Sequence, residues 1–344
     1  MDVDIGARAK KILHAVVSEY LATGEAVGSQ TVTRRYGLDV SAATVRTVMG
    51  DLEDVGLLRH THTSAGRIPT ERGLRYYVDT LLRVRSLSVG EKDDIRERLG
   101  GAPGEVPLPE VMQRTSRLLR ELSHLTVVVQ APRPENDAVQ HLEFVRLREG
   151  QLLAVLETAS GQVQNKLVPV DFPVDPGELE HINNYLHELA SGLTLEQLRV
   201  RLVEEIASDR AAHDALAARA LKLASAAVPA EAPPEVFVDG QSNLLAGNAD
   251  LDRAKTLLRT LEEKDLLVRL LDRTLTAPGI CVFIGAEANL ADLTDVSVVA
   301  APYGSEGRPL GTIGVIGPAR MNYSRVIPLV DFTAEMIGEA LTKP

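Results

Sequence analysis

The chain has 344 residues, with 48 Asp and Glu against 37 Lys and Arg, a formal net charge of −11 and a single cysteine. One cysteine excludes a disulfide framework within the chain, and no run of about 18 apolar residues is present to span a bilayer. At roughly 100–200 residues per domain the length predicts two or three domains, and Met1–Lys11 lacks the apolar core of an export signal, so a soluble, cytoplasmic protein is expected.

Ile12, Leu13, Val16, Val17, Tyr20 and Leu21 recur at three- and four-residue spacing and predict a supporting helix. Ser29 is the expected N-cap of a second helix over Gln30 to Tyr36, closed by Gly37 in the left-handed conformation. Leu38 and Val40 are expected to plug the turn that follows. Ser41 then caps a third helix with the apolar stripe Val45, Val48, Met49, Leu52 and Val55, ended by Gly56. Its outward face falls on Ala43, Arg46, Thr47 and Gly50, small or hydrogen-bonding groups suited to a major groove. Asp51, Glu53 and Asp54 would repel phosphate and are expected to point away from it.

Leu57 to Thr70 reads as a hairpin whose tip offers Thr61, Thr63 and Ser64 as neutral donors and Arg59 and Arg67 as charges, as a wing lying along a sugar-phosphate backbone requires. His60 and His62 share one strand face, but with no third ligand nearby they do not complete a zinc site. Helix, turn, helix and basic hairpin together make a winged helix-turn-helix reader of duplex DNA. Its expected contacts are Ser29, Ser41, Ala42, Ala43, Thr44, Arg46, Thr47, Arg59, His62, Thr63, Ser64, Gly66 and Arg67. For Arg67 a second reading stays open, in which it pairs with Glu71 and braces the base of the wing.

The net charge does not oppose this reading. Residues 1–85 hold 12 Lys and Arg against 10 Asp and Glu, and the acidic excess belongs to the rest, with 25 against 38. Between residues 59 and 75, Arg59, Arg67, Arg72 and Arg75 face only Glu71, so a local basic patch is expected there.

Several strings resemble the heat-inducible transcription repressor HrcA family of bacteria. They are Gly28-Ser29, Ser41-Ala42-Ala43-Thr44-Val45-Arg46, His62-Thr63-Ser64-Ala65-Gly66-Arg67-Ile68-Pro69-Thr70 and, far downstream, Ile316-Gly317-Pro318-Ala319-Arg320-Met321-Asn322-Tyr323. Three positions depart from the family pattern: Thr47 replaces a usual asparagine, Ala26 a proline and Leu74 an aromatic, and only Thr47 bears on base readout. The resemblance implies a GAF-like domain carrying an inserted dimerisation domain, and a homodimer binding the CIRCE inverted repeat of chaperonin and DnaK-type operons. It also implies a GroE-type chaperonin as partner.

After the wing, Thr70 is expected to cap a helix through Tyr76, Tyr77, Val78, Leu81 and Leu82 that leads out of the domain. Ser88 to Pro109 reads as a helix and then a Gly/Pro linker. A helix from Val111 to Ser123 precedes strand runs at Leu125–Gln130, His141–Arg148, Leu152–Thr158 and Val163–Val170, joined by turns at Glu149-Gly150 and Ser160-Gly161 into one antiparallel sheet. Pro176 to Ala227 is helical, with Thr194 capping Leu195 to Ile206, and a later helix spans Leu251 to Leu271. Strands return at Val236–Val238, Ile280–Ile284, Val296–Ala300 and Leu310–Ile316. The expected fold is α+β and multidomain: a winged helix (1–85), a linker (86–110), an antiparallel-sheet domain (111–175 and 231–344) that the resemblance implies is GAF-like, and a helical insertion (176–230) that it implies is the dimerisation domain.

Enzyme motifs fail on spacing. His187-Glu188-Leu189-Ala190-Ser191 has serine where a zinc protease needs its second histidine, Gly311, Gly314 and Gly317 match neither phosphate loop, and no serine sits in a G-x-S-x-G elbow. Cys281, in an apolar run, reads as a small buried hydrophobe. No enzyme activity, cofactor or metal is expected. The alternative function is a ligand-sensing regulator with a small molecule in its GAF-like domain, against which stand the 3% aromatic content and the lack of a ring cluster.

Overall fold

In the computed structural model, which describes residues 5–37, 39–61, 66–99, 106–133, 137–148, 150–207, 215–228, 235–245, 259, 264–277, 279–289, 295–305 and 307–342, the first apolar stripe becomes α1 (Ala7–Thr23). Ile12, Leu13, Val16 and Val17 are buried on its inner face, and Tyr20 and Leu21 pack partly against the same core. α2 (Ser29–Tyr36) crosses it, ends at Gly37 with φ +55°, and is tied back by Arg35 to the buried Glu19 of α1. α3 (Ala42–Asp54) follows, with Val45, Met49 and Leu52 buried. Removing three such side chains from water contributes about 1.5–3 kcal/mol each, which fixes the helix against α1 and α2. Val40 packs against this core as expected, whereas Leu38 lies outside the described residues.

One helix start differs from expectation. The N-cap of α2 is Gly28, and Ser29 is the first helical residue, buried and without a capping hydrogen bond. The reason lies just upstream: Val27 exchanges both backbone hydrogen bonds with Arg67 (2.9 and 3.0 Å), so the extended approach is held by the hairpin and the helix begins one residue early.

The hairpin consists of β1 (Leu58–His60) and β2 (Arg67–Pro69), paired antiparallel with Arg59 opposite Ile68. Thr70 caps α4 (Glu71–Tyr76) by accepting from the Gly73 amide at 3.0 Å, and the chain continues through a π-helical turn (Tyr77–Leu81) before becoming extended at Leu82. α5 (Val89–Leu99) is not a free linker. Its Ile95 is fully buried, and Lys92 and Arg96 lie over the Phe332 ring.

The body centres on a five-stranded antiparallel sheet of order β7-β3-β10-β9-β8: β3 (Thr126–Gln130), β7 (Val236–Asp239), β8 (Cys281–Ile284), β9 (Val296–Ser305) and β10 (Arg308–Pro318). Strand alternation sorts the apolar side chains onto two faces. Val127, Val129, Ile313 and Val315 join the core under α6 (Leu108–Ser123) and the C-terminal helix (Tyr323–Thr342), while Val128, Ile316, Val298 and Ala300 join a smaller one under Lys264–Leu275. Of the helix expected over 251–271, residues 251–258 and 260–263 lie outside the described residues.

The single sheet expected for residues 125–170 is two sheets. β4 (Val139–Arg148), β5 (Gln151–Thr158) and β6 (Val163–Pro169) form a separate three-stranded sheet, with Gly150 and Gly161 in its turns. Its inner face packs on α7 (Pro176–Ala190), α8 (Leu195–Ile206) and α9 (Ala215–Ala227), in a core running from Val139 to Val228. Thr194 and Gln197 cap α8 reciprocally, as Thr194 predicts. This module therefore begins near residue 138, not 176. It leaves from and returns to neighbouring strands, because β3 and β7 pair directly through Gln130 and Val236. The sequence hid this because both runs read only as strands, and their pairing partners place them in different sheets.

The head and the body share one continuous core that includes Ile12, Leu74, Tyr77, Tyr323 and Leu341. Polar contacts fasten the seam: Arg75 Nε donates to Glu287 Oε1 at 3.1 Å, Arg75 also donates to the Val282 carbonyl, and the Ala286 amide donates to Glu71 at 3.4 Å. Burial pushes the Glu287 carboxyl upward, but the Arg75 hydrogen bond and charge outweigh it and hold the group below its ordinary value. Replacing Arg75 by Ala strands a partly buried carboxylate and a carbonyl. Since Glu287 is 42% exposed, water recovers part of the loss, and the expected cost is about 1–2 kcal/mol. Urea titration followed separately in head and body checks this: an unchanged head midpoint would deny the seam any role.

Candidate nucleic-acid interface

Ser41 accepts from the Thr44 amide at 3.1 Å, and the two hydroxyls lie 3.0 Å apart, so the first turn of α3 is closed by its own side chains. From that anchored end Ala43, Arg46 and Thr47 project into solvent, with Ala42 and Thr44 half-buried beside them. The Thr47 hydroxyl donates to the Ala43 carbonyl at 3.2 Å, which leaves its oxygen able to accept from a base. Arg46 forms no ion pair with any described residue. A helix presenting short side chains at its N-terminal half, with one cation among them, has the shape and donors to read base edges.

The hairpin's arginines divide by role. Arg59 is exposed on β1. Arg67 is not: its Nε donates to Glu53 Oε2 at 2.8 Å with only 14% of the side chain exposed, and Glu71, the partner considered from sequence, bonds to the body instead. Gly66 is also structural, since a Cβ there would lie 2.8 Å from the Ala26 carbonyl carbon. Ser29 is buried. His62, Thr63 and Ser64 lie outside the described residues. The basic patch expected over residues 59–75 is thinned accordingly, because Arg67 pairs with Glu53 and Arg75 with Glu287, leaving Arg59 and Arg72 on the surface.

Three features were missed in the sequence. Glu53 turns toward the hairpin although its neighbours Asp51 and Asp54 are exposed. Arg75 faces the body. On β4 and β6 the side chains Val145, Leu147, Val163 and Leu167 are 41–55% exposed on the sheet's outer face. The last had a signal, since apolar residues occur at both parities of β4 and in the unbroken run Leu152–Leu156, the pattern of a strand covered on both faces.

Elsewhere, a cleft lined by Gln113, Ser116, Arg117, Arg120 and Asp239 is polar, with Arg120 Nε 3.1 Å from Asp239 Oδ2. Cys281 is half-buried and its thiol is pushed up by burial. Among the described residues no group of three or more His, Cys, Asp or Glu is placed to hold a metal, and no helix is long and apolar enough to cross a membrane.

A small head with this helix pair and hairpin, on a larger α/β body, is an architecture suited to a transcription regulator. Residues 109–327 match the family described as HrcA protein C terminal domain. The heat-inducible transcription repressor HrcA of Anaeromyxobacter sp. (strain K) is 46% identical over 98% of this chain and 97% of its own, and that of Geobacter sulfurreducens is 43% identical over 98% of both. A crystal structure of a protein described as hypothetical superposes with a TM-score of 0.64 at 23% identity, covering 98% of this chain and 99% of its own, and shares the fold. The chain belongs to the HrcA family of heat-inducible transcription repressors.

Proposed function

We propose that the chain is a homodimeric repressor in which two winged helices read the halves of the CIRCE inverted repeat and block transcription of chaperonin and DnaK-type operons. The observation that carries this is the solvent-facing Ala43-Arg46-Thr47 surface at the capped end of α3, beside a hairpin that carries the exposed Arg59. The names of the relatives support the repressor reading, and the apolar outer face of the β4–β5–β6 sheet supports a second copy as partner. In this reading the body is a GAF-like domain, the module over residues 138–228 is its dimerisation insert, the protein acts in the cytoplasm at the nucleoid, and a GroE-type chaperonin acts on it.

Arg46→Ala tests the readout. If the guanidinium reaches a base edge, affinity for the inverted repeat falls by about 1–3 kcal/mol and affinity for random duplex falls much less. Equal losses on both duplexes, measured at two salt concentrations, would assign Arg46 to phosphate instead.

A further inference from the structure

The carboxylate of Glu53 sits on α3 but bonds to both strands of the hairpin. Its Oε1 accepts from the His60 amide of β1 at 3.1 Å, and its Oε2 accepts from Arg67 Nε of β2 at 2.8 Å. His60 and Arg67 are register partners, so one side chain grips both members of a cross-strand pair. The backbone of Arg67 is in turn doubly bonded to Val27, just before α2. The hairpin is two strands of three residues each, too short to hold its own angle.

We propose that Glu53 is a positioning residue for DNA recognition, locking the angle between the recognition helix and the wing. The inference rests on the DNA-binding reading above and assigns to a residue that touches no DNA a share of its specificity. Simple electrostatics gives Glu53 the opposite role, since an anion close to the phosphate backbone weakens binding. The hydrogen bond from Arg67, with its charge and the His60 amide, holds the carboxyl below its ordinary range, so the brace is ionised at neutral pH. Ionised, it also neutralises Arg67, which makes Arg67 a member of the brace and removes it from the set of free phosphate contacts.

The two roles separate by measurement. Glu53→Ala and Arg67→Ala, each alone and together, are titrated against a duplex carrying the inverted repeat and against random duplex over a range of salt. For Glu53→Ala the expected result is a loss of about tenfold in affinity for the repeat, with random duplex bound as well as before or better, so that the specificity ratio falls. The double variant should lose no more specificity than Glu53→Ala alone, because the contact that Arg67→Ala removes is already gone. Glu53→Gln, which keeps an acceptor without the charge, should fall between wild type and Glu53→Ala. Tighter or unchanged binding to both duplexes would overturn the proposal, leaving Glu53 a repelling surface charge. Parallel losses on both duplexes with a lowered unfolding midpoint would overturn it too, making Glu53 a residue of the fold alone. Failure of the wild-type chain to prefer the repeat would defeat the DNA-reading function itself, and that control is read before any variant.

Discussion

Introducing carboxylates on the outer face of the β4–β5–β6 sheet, by Val145→Asp with Leu167→Asp, should split the proposed homodimer into monomers that bind the full inverted repeat no better than a half-site. Val145 lies opposite Leu153, and Leu153 opposite Leu167, so the three form an apolar row across the sheet, continued along β4 by the exposed Leu147. A contiguous apolar surface of this kind on a folded module marks a protein contact, and a two-fold operator requires a self-complementary one. The inner face of the same sheet already has its own core, so charges on the outer face leave the module folded. Losing the second head removes the effective concentration it supplies, and affinity for the repeat should drop by about 10²–10⁴-fold. Sedimentation gives the mass, and titration against whole and half sites gives the loss. A dimer that survives both charges would move the interface to the exposed Val200, Val203 and Ile206 of α8. Point substitution is the better test than excision of residues 176–230, which would remove α7, α8 and α9 and strip β4–β6 of the core they share with them.

The boundary of the module lies in long-range pairing, which local sequence does not carry. Local signals were legible: Ser41, Thr70 and Thr194 cap the helices expected of them, and Gly37 closes α2. Each depends on a few adjacent residues and on backbone chemistry that does not vary with context. The exposed face of α3 was legible for the same reason, since a 3.6-residue period fixes which residues point outward once the apolar stripe is placed. What was not legible depends on distant partners. Arg75 and Glu287 are 212 positions apart, and nothing in either neighbourhood marks the pair. Ser29 lost its expected cap role to a backbone bridge between Val27 and Arg67, 40 positions apart by numbering. A long polar side chain has many possible partners in sequence and the fold selects among them, so the Glu53–Arg67 pair left no local mark.

Gly73→Ala should destabilise the head, although alanine is the better helix former. The substitution sits in α4, where replacing glycine by alanine ordinarily gains about 1 kcal/mol. Here the first turn of α4 lies flush on the start of β1: a Cβ on Gly73 would stand 2.0 Å from the Leu57 carbonyl oxygen and 3.0 Å from its carbon. That oxygen cannot swing aside, because it accepts from the Thr70 amide at 3.1 Å while the Thr70 hydroxyl donates to the Gly56 carbonyl at 2.7 Å. Relief requires α4 to move, and α4 carries Leu74 into the core and Arg75 to the body. Overpacking against backbone costs about 3 kcal/mol or more, so the net loss is about 2 kcal/mol or more once helix propensity is subtracted. Gly50 supplies the internal control. It also lies within a helix, α3, and nothing stands within 4 Å of its missing Cβ, so Gly50→Ala should raise the head's stability by up to about 1 kcal/mol. Urea midpoints of the head should therefore move in opposite directions for the same chemical change. If Gly73→Ala stabilises as Gly50→Ala does, α4 does not pack on β1 as described, and the seam built on Arg75 loses its foundation.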